Sequence, residues 1–107
     1  MQISSTKRDD TTIVNIDGRL DSGTAAAAEK QLLDLVAGGA RRLVLNCAGL
    51  EYVSSAGLRV LLALAKRVGG VQGRLALAAP AAQVREIFDI AGFADILPVF
   101  ATVEEAL

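Results

Sequence analysis

Apolar positions in several short segments of the chain predict β-strands. Residues 2–8 have a weak strand pattern, and Thr12–Asp17 is β-branched and roughly alternating, with Asp9-Asp10 as a turn between them. Such a pair predicts an antiparallel hairpin. Leu43–Leu45 and Leu75–Leu77 are continuous apolar runs, which are typical of strands covered on both faces.

Between these strands, apolar residues recur every three or four positions, as on the buried face of a helix. The first helix is predicted from about Thr24 to Gly38-Gly39, and the second from Ser54-Ser55 to Gly69-Gly70, with residues 47–53 as the preceding loop. The predicted stripes are Ala25, Ala28, Leu32, Leu35 and Val36 in the first helix, and Leu58, Leu61, Leu62, Ala65 and Val68, widened by Val60 and Leu64, in the second.

The last third of the chain predicts a third and a fourth helix. The third helix begins near Pro80, a residue tolerated in a first helical turn, and ends at Gly92; its stripe is Val84, Ile87, Phe88 and Ala91. A short strand is predicted at Asp95–Leu97, and Thr102 with Glu105 has the spacing of a capping box. The order ββαβαβα(β)α predicts an α/β fold with a mixed, mainly parallel sheet of four to five strands and about four helices.

Length, charge and composition narrow the possible functions. The 107 residues suit one domain, residues 1–107, and the net charge of −1 favours neither nucleic acid nor an acidic membrane as a partner. One cysteine and no histidine favour a reducing compartment and leave no apparent metal site, cofactor site or Ser-His triad. The first ten residues have no apolar leader, so a cytoplasmic protein is expected.

Two other features of the sequence have simple structural interpretations. The stretch Gly69–Arg74 follows a helix and lacks the Gly-Lys-Ser/Thr ending of a phosphate loop, so it predicts a helix stop and a turn. Cys47 follows a buried strand and has no basic neighbour in sequence that would lower its pKa, so a packing role is expected.

The tandem serine Ser54-Ser55 combines a structural signal with a possible chemical one. At the junction between a loop and a helix, serine is first of all an N-cap. In a parallel α/β sheet, however, the loops at the carboxyl ends of strands carry functional groups, and a phosphate there would meet the unpaired N–H groups of the helix start. The chain has no histidine and no Gly-x-Ser-x-Gly motif, so we expect this serine to be modified by another protein and expect no enzyme activity.

Three segments, in order, resemble the STAS domain family and, within it, the bacterial anti-sigma factor antagonists. They are Gly18-Arg-Leu-Asp21 with Thr24-Ala, then Leu43–Asn46 with Gly49–Leu58, and then Val84–Phe93. The resemblance implies a STAS fold and a partner-switching function. Unmodified members bind an anti-sigma factor that is also a GHKL-type serine kinase; phosphorylation at the start of the second helix releases it, and a PP2C-type phosphatase reverses the modification.

The chain departs from the commonest family pattern at three positions. In that pattern the acceptor hydroxyl directly precedes the glycine and an aspartate begins the motif, whereas this chain has Ala56 and Ser54 in those places. Asn46 stands where an aspartate often ends the third strand. The Ser-Ser-Ala-Gly variant is similar to other antagonists, and we expect Ser55 to be the acceptor, with Ser54 as second choice.

The resemblance also implies a partner-binding surface and leaves other functions open. The expected contacts are Asp21, Ser22, Thr24, Tyr52, Ser54, Ser55 and Arg59. The main alternative is a constitutive STAS subunit or docking module of a lipid-transport or stressosome-like complex, in which the serines are only caps. A small-ligand sensor is a third possibility, although the Leu- and Ala-rich sequence indicates no obvious cavity.

Overall fold

Six strands form one mixed sheet, and helices pack on it. The computed structural model describes all residues, Met1–Leu107. In chain order the elements are β1 (Gln2–Arg8), β2 (Thr11–Leu20), α1 (Ala25–Ala37), β3 (Arg42–Asn46), β4 (Leu50–Val53), α2 (Ser55–Gly70), β5 (Arg74–Ala78), α3 (Ala82–Ile90), a short 3-10 helix (Phe93–Asp95), β6 (Val99–Phe100) and α4 (Val103–Ala106). The predicted α/β class with a mainly parallel sheet is confirmed.

The strand β2 lies near the centre of the sheet and has three partners. The main order is β1-β2-β3-β5-β6, in which only the β1–β2 hairpin is antiparallel. The first half of β2 pairs with β3, and its second half pairs with β4 after a register shift between Gly18 and Arg19. Gly18 has φ +105°, a left-handed conformation that suits glycine in such a bulge. The strand therefore continues past Asp17, where the sequence pattern predicted its end.

The strand β4 replaces part of the predicted loop at residues 47–53. Its two ends, Leu50 and Val53, are buried, whereas Glu51 and Tyr52 between them are exposed. This pattern matches neither a continuous apolar run nor strict alternation, so hydrophobic periodicity did not reveal the strand. Its pairing with β2 places the start of α2 beside the end of β2.

The main core lies between the sheet and the helices. Its sheet side includes Val14, Ile16, Leu43, Leu45 and Leu77, and its helix side includes Ala28, Leu32, Val36, Val60, Leu61, Leu64, Val68, Val84 and Phe88. In α2 the fully buried row is therefore formed by Val60, Leu61, Leu64 and Val68, while the predicted Leu58, Leu62 and Ala65 are half-buried at its edge. The helical period was correct, but the centre of the buried face is rotated from the predicted one.

Two predicted boundaries in the last third of the chain were wrong. The helix α3 begins two residues after Pro80, at Ala82, because Ala81 still has the extended backbone of an N-cap. The predicted strand at Asp95–Leu97 lies instead at Val99–Phe100, since Leu97 is buried in the core after the 3-10 turn. The predicted cap of the last helix is confirmed, because the Glu105 amide donates a 3.1 Å hydrogen bond to Thr102 Oγ1.

None of the helices combines the length and the apolar composition that crossing a bilayer requires.

Candidate functional site

The site lies where β2 and β4 end side by side. Leu20, the last residue of β2, is paired with Val53, the last residue of β4. The Ser54 amide then donates a 2.9 Å hydrogen bond to the carbonyl oxygen of Leu20, which continues the strand pairing into the start of α2. Because the strands are parallel, the segments that follow both of them emerge at the same edge of the sheet.

Gly57 allows α2 to start this close to β2. A Cβ atom at this position would lie 2.5 Å from the carbonyl oxygen of Leu20 and 2.8 Å from the Leu20 Cγ atom. Backbone oxygen cannot move aside as the tip of a flexible side chain can. The glycine in the Ser-Ser-Ala-Gly segment is therefore explained by close packing against the end of β2.

The two serines have different environments although they are adjacent. Ser54 is the N-cap of α2: its backbone is extended, its Oγ accepts a 3.2 Å hydrogen bond from the Gly57 amide, and its residue is half-buried. Ser55 is the first helical residue and is exposed, and its hydroxyl makes no hydrogen bond within the chain. The N-cap interpretation is thus confirmed for Ser54, and Ser55 presents a free hydroxyl at the positive end of the helix dipole.

The turn between β2 and α1 forms the neighbouring wall of the site. Thr24 Oγ1 donates a 2.8 Å hydrogen bond to the Arg19 carbonyl oxygen and accepts one of 3.0 Å from the Asp21 amide. The Asp21 carboxylate accepts a 2.9 Å hydrogen bond from the Gly23 amide. These bonds hold the Asp21 side chain in place, while Ser22 is exposed at the tip of the turn.

Arg19 belongs to this surface, although its sequence pattern did not identify it. Its guanidinium carbon lies 4.6 Å from the centroid of the Tyr52 ring, and its Nε lies 3.7 Å from Asp21 Oδ2. The contact with Tyr52 depends on the β2–β4 pairing, which brings the two residues into register. An exposed cation–π contact contributes about 0.5–1 kcal/mol, so this group orients side chains more than it stabilises the fold.

Arg59 lies on the same face of α2 as Ser55, because it follows Ser55 by four residues. Its side chain is exposed and makes no ion pair or hydrogen bond. Asn46 donates a 2.9 Å hydrogen bond to Asn15 Oδ1 and accepts one of 3.2 Å from the Ala48 amide. Asn46 therefore holds the loop after β3 in place. Ala56, which follows the two serines, is half-buried.

Cys47 is part of the core. Burial raises the pKa of its thiol to about 12, against an ordinary value of 9.0, and the Sγ atom donates a 3.5 Å hydrogen bond to the Leu45 carbonyl oxygen. A thiol with so high a pKa is not a nucleophile near neutral pH. The structure has no group of three or more cysteine, aspartate or glutamate side chains arranged to hold a metal ion.

The arrangement can accept a chemical group and present it to a partner. The Ser55 hydroxyl is exposed and has no base in hydrogen-bond contact. Around it, the structure brings together most of the predicted surface: the Asp21–Thr24 turn, Ser54, and Tyr52 on the adjoining strand, with Arg19 added.

Comparisons of the sequence with known proteins identify its family. The STAS domain family model matches residues 2–106. BtrV of Bordetella bronchiseptica, which is named as an anti-sigma factor antagonist, is 42% identical over 106 residues, covering 99% of this chain and 91% of BtrV.

Solved structures have the same fold. A Thermotoga maritima protein described as an anti-sigma factor antagonist superposes with a TM-score of 0.92 at 22% identity, covering 97% of this chain and 90% of that one. The Bacillus protein SpoIIAA is known in two forms: its unphosphorylated form matches with a TM-score of 0.81 at 23% identity, over 98% and 92% of the chains. Its phosphorylated form matches with a TM-score of 0.73 at 22% identity, over 98% and 96%.

The family match over nearly the whole chain and the relative at 42% identity lead to the same assignment. This chain is a STAS domain of the anti-sigma factor antagonist family.

Proposed function

We propose that this chain is a phosphorylation-controlled antagonist that binds an anti-sigma factor with serine-kinase activity of the GHKL type. Its partner-binding surface, here called the switch surface, consists of Arg19, Asp21, Ser22, Thr24, Tyr52, Ser54, Ser55 and Arg59. Ser55 accepts the phosphate, phosphorylation releases the partner, and a PP2C-type phosphatase restores the binding form.

The different environments of the two serines carry this proposal. A kinase needs a hydroxyl that can enter its active site without first breaking a structural contact. Ser55 is exposed and its hydroxyl makes no hydrogen bond, whereas the Ser54 hydroxyl caps α2 through the Gly57 amide at 3.2 Å. To enter a kinase active site, the Ser54 hydroxyl would first have to give up its contact with the Gly57 amide, so Ser55 is the better acceptor.

The fold is compatible with such a switch. SpoIIAA, which has the same fold, has been solved with and without phosphorylation. A phosphate on Ser55 would lie at the N-terminus of α2, where the helix dipole and free N–H groups favour negative charge. We therefore expect the modified chain to remain folded and to lose its partner through a change in the surface alone.

Charge supplies the mechanism of release. Phosphorylation adds about −1.5 to −2 charges to a chain whose net charge is −1. The added phosphate would repel the nucleotide phosphates of a bound kinase, and it would have to lose its hydration in the interface. A tenfold to hundredfold loss of affinity requires only ~1.4–2.8 kcal/mol.

A phosphorylation experiment with matched variants tests the assignment. The purified chain is incubated with ATP and with the GHKL-type kinase that it captures, and intact mass and peptide spectra are recorded. We expect one phosphate on the wild type and on Ser54→Ala, and none on Ser55→Ala; Ser22→Ala serves as a second hydroxyl control. A phosphate that persists on Ser55→Ala contradicts the choice of acceptor.

The binding measurement separates the switch from a constitutive subunit. Ser55→Asp is expected to bind the kinase at least about tenfold more weakly than Ser55→Ala, because only the first adds charge to the switch surface. A complex that tolerates both Ser55→Asp and stoichiometric phosphorylation would instead identify the chain as a permanent docking module.

A further inference from the structure

The sheet face opposite the main helices has a groove that the Leu- and Ala-rich sequence does not indicate. Val44 and Ala76 point to this face, are 2% and 8% exposed, and lie outside the main core cluster. The short helix α4 covers part of the face, and a cavity of about 290 Å³ remains beside it. Val44, Ala76, Pro98 and Phe100 supply apolar lining.

Arginines from neighbouring strands meet at one end of this groove. Arg42 at the start of β3 is the register partner of Arg74 at the start of β5, and both line the cavity. Thr11 of β2 pairs with Arg42, and Arg8 of β1 pairs with Thr11. Since register partners share a face of the sheet, Arg8, Thr11, Arg42 and Arg74 form one continuous row, here called the arginine row.

No member of this row has an ion-pair partner within the protein. The two ion pairs of the structure, Arg19–Asp21 and Lys30–Asp34, involve none of its members. Neighbouring strands lie about 4.8 Å apart, so the adjacent cations Arg42 and Arg74 repel each other. Asp9 and Asp10 line a smaller hollow together with Arg8 and Arg42. Arg74 lies outside that hollow and is therefore the least compensated member of the row.

We propose that this groove binds a small amphipathic anion: a single alkyl chain of medium length that ends in a carboxylate or a phosphate ester. The Arg42 and Arg74 guanidinium groups bind the oxyanion, for which their planar donors are suited. The alkyl chain lies along Val44, Ala76 and Phe100 towards α4. The cavity of about 290 Å³ lies just below the usual range for ligand sites, about 300–1,000 Å³, which favours a single short chain over a two-chain lipid.

Charge complementarity distinguishes this groove from another apolar hollow of the molecule. The second hollow lies between Leu62, Ala65, Ile96 and Leu97 and has one cation, Lys66. It lacks the paired arginines that fix an oxyanion at one end. The anion-binding groove also lies on a different part of the fold from the switch surface, so its function does not depend on that of Ser55.

Titration of the full-length chain with defined probes tests the proposal. Decanoate and decyl phosphate, kept below micelle formation, are added to isotopically labelled protein, and amide shifts and calorimetric affinities are measured. Decanol tests the chain alone, and inorganic phosphate tests the head group alone. We expect one saturable site, shifts at Val44, Ala76 and Ala106, and binding at least about tenfold tighter than that of either partial probe, because each probe lacks one half of the contacts.

Variants with equal charge changes complete the test. Arg42→Gln/Arg74→Gln should weaken binding of the amphiphiles by about tenfold or more, as expected when charge-assisted hydrogen bonds are removed. The control Arg67→Gln/Arg85→Gln removes the same charge from exposed positions on α2 and α3 and should leave the affinity unchanged.

The preferred probe identifies the class of the natural ligand. Preference for decanoate would indicate a fatty acid as the source, and preference for decyl phosphate would indicate a phosphate ester. Absence of binding, equal losses in the two double variants, or shifts centred on Leu62 and Ile96 would overturn the proposal.

Discussion

The two ends of the sheet differ in how their polar groups are satisfied. At the carboxyl end, the Asp21–Thr24 turn and the Ser54 cap form hydrogen bonds with nearby backbone, and Arg19 pairs with Asp21. At the amino end, Arg42 and Arg74 face the same side with no ion-pair partner. The first arrangement is ordered without a ligand, whereas the second leaves charge that a ligand could neutralise.

The two ends of the sheet therefore offer two different kinds of recognition surface. At the carboxyl end the fold fixes the groups around Ser55, so a single added phosphate would change an ordered surface. At the amino end the strands bring like charges together, which costs stability until an anion binds. Substitutions at the carboxyl end should therefore mostly destabilise the protein, and removal of arginine at the amino end should stabilise it.

Gly57→Ala should have the largest effect on stability. The added Cβ would lie 2.5 Å from the Leu20 carbonyl oxygen, and overpacking of this kind costs about 1–3 kcal/mol, more than the helix gains from alanine. Gly69→Ala in the same helix is the matched control, because nothing lies within 4 Å of its Cβ position. It should stabilise the chain by about 0.5–1 kcal/mol in urea unfolding. Equal effects of the two substitutions would contradict the close-packed junction.

Alkaline pH should destabilise the protein through Cys47. Its thiol has a pKa of about 12 when folded and an ordinary pKa of 9.0, so above pH 9 the unfolded chain releases a proton that the folded chain retains. The contribution of Cys47 to stability is therefore complete below pH 9 and is lost progressively as the pH rises from 9 towards 12. Cys47→Ala should show a shallower decline of unfolding free energy over this range; parallel curves for the two proteins would argue against a buried thiol.

Ser54→Ala should cost about 0.5–2 kcal/mol, because the Gly57 amide loses its N-cap acceptor. Ser55→Ala is the control, since the Ser55 hydroxyl makes no hydrogen bond, and it should change stability by less than about 0.5 kcal/mol. Thermal unfolding of both variants measures the contrast. A larger loss for Ser55→Ala would reverse the roles assigned to the two serines.

Local signals explain which features the sequence predicted correctly. The Ser54 and Thr102 caps depend on groups three residues apart, so the sequence alone contains both partners. The continuous strands β3 and β5 and the helical periods are equally local. These signals were sufficient for the α/β class and for the position of the serines at a helix start.

Features that depend on strand register were not predictable in the same way. The strand β4 is only four residues long and was interpreted as loop, so the contact of Arg19 with Tyr52 could not be inferred. Arg42 and Arg74 are 32 positions apart in sequence and become neighbours only through the pairing of β3 with β5. The role of Gly57 is of the same kind, because it depends on how closely α2 approaches the end of β2.

Removal of one arginine from the arginine row should change stability the least, and it should stabilise the protein where the preceding substitutions destabilise it. Arg42→Gln relieves repulsion from Arg74 across neighbouring strands, which should stabilise the ligand-free protein by about 0.2–1 kcal/mol at low ionic strength. Lys30→Gln is the control at an exposed helical ion pair, 2.9 Å from Asp34, and should destabilise by about 0.3–0.5 kcal/mol. Both effects should shrink at about 1 M salt, where screening acts over ~3 Å. If Arg42→Gln destabilised the protein at low salt, the arginine row would have internal partners and would not need an anion to neutralise it.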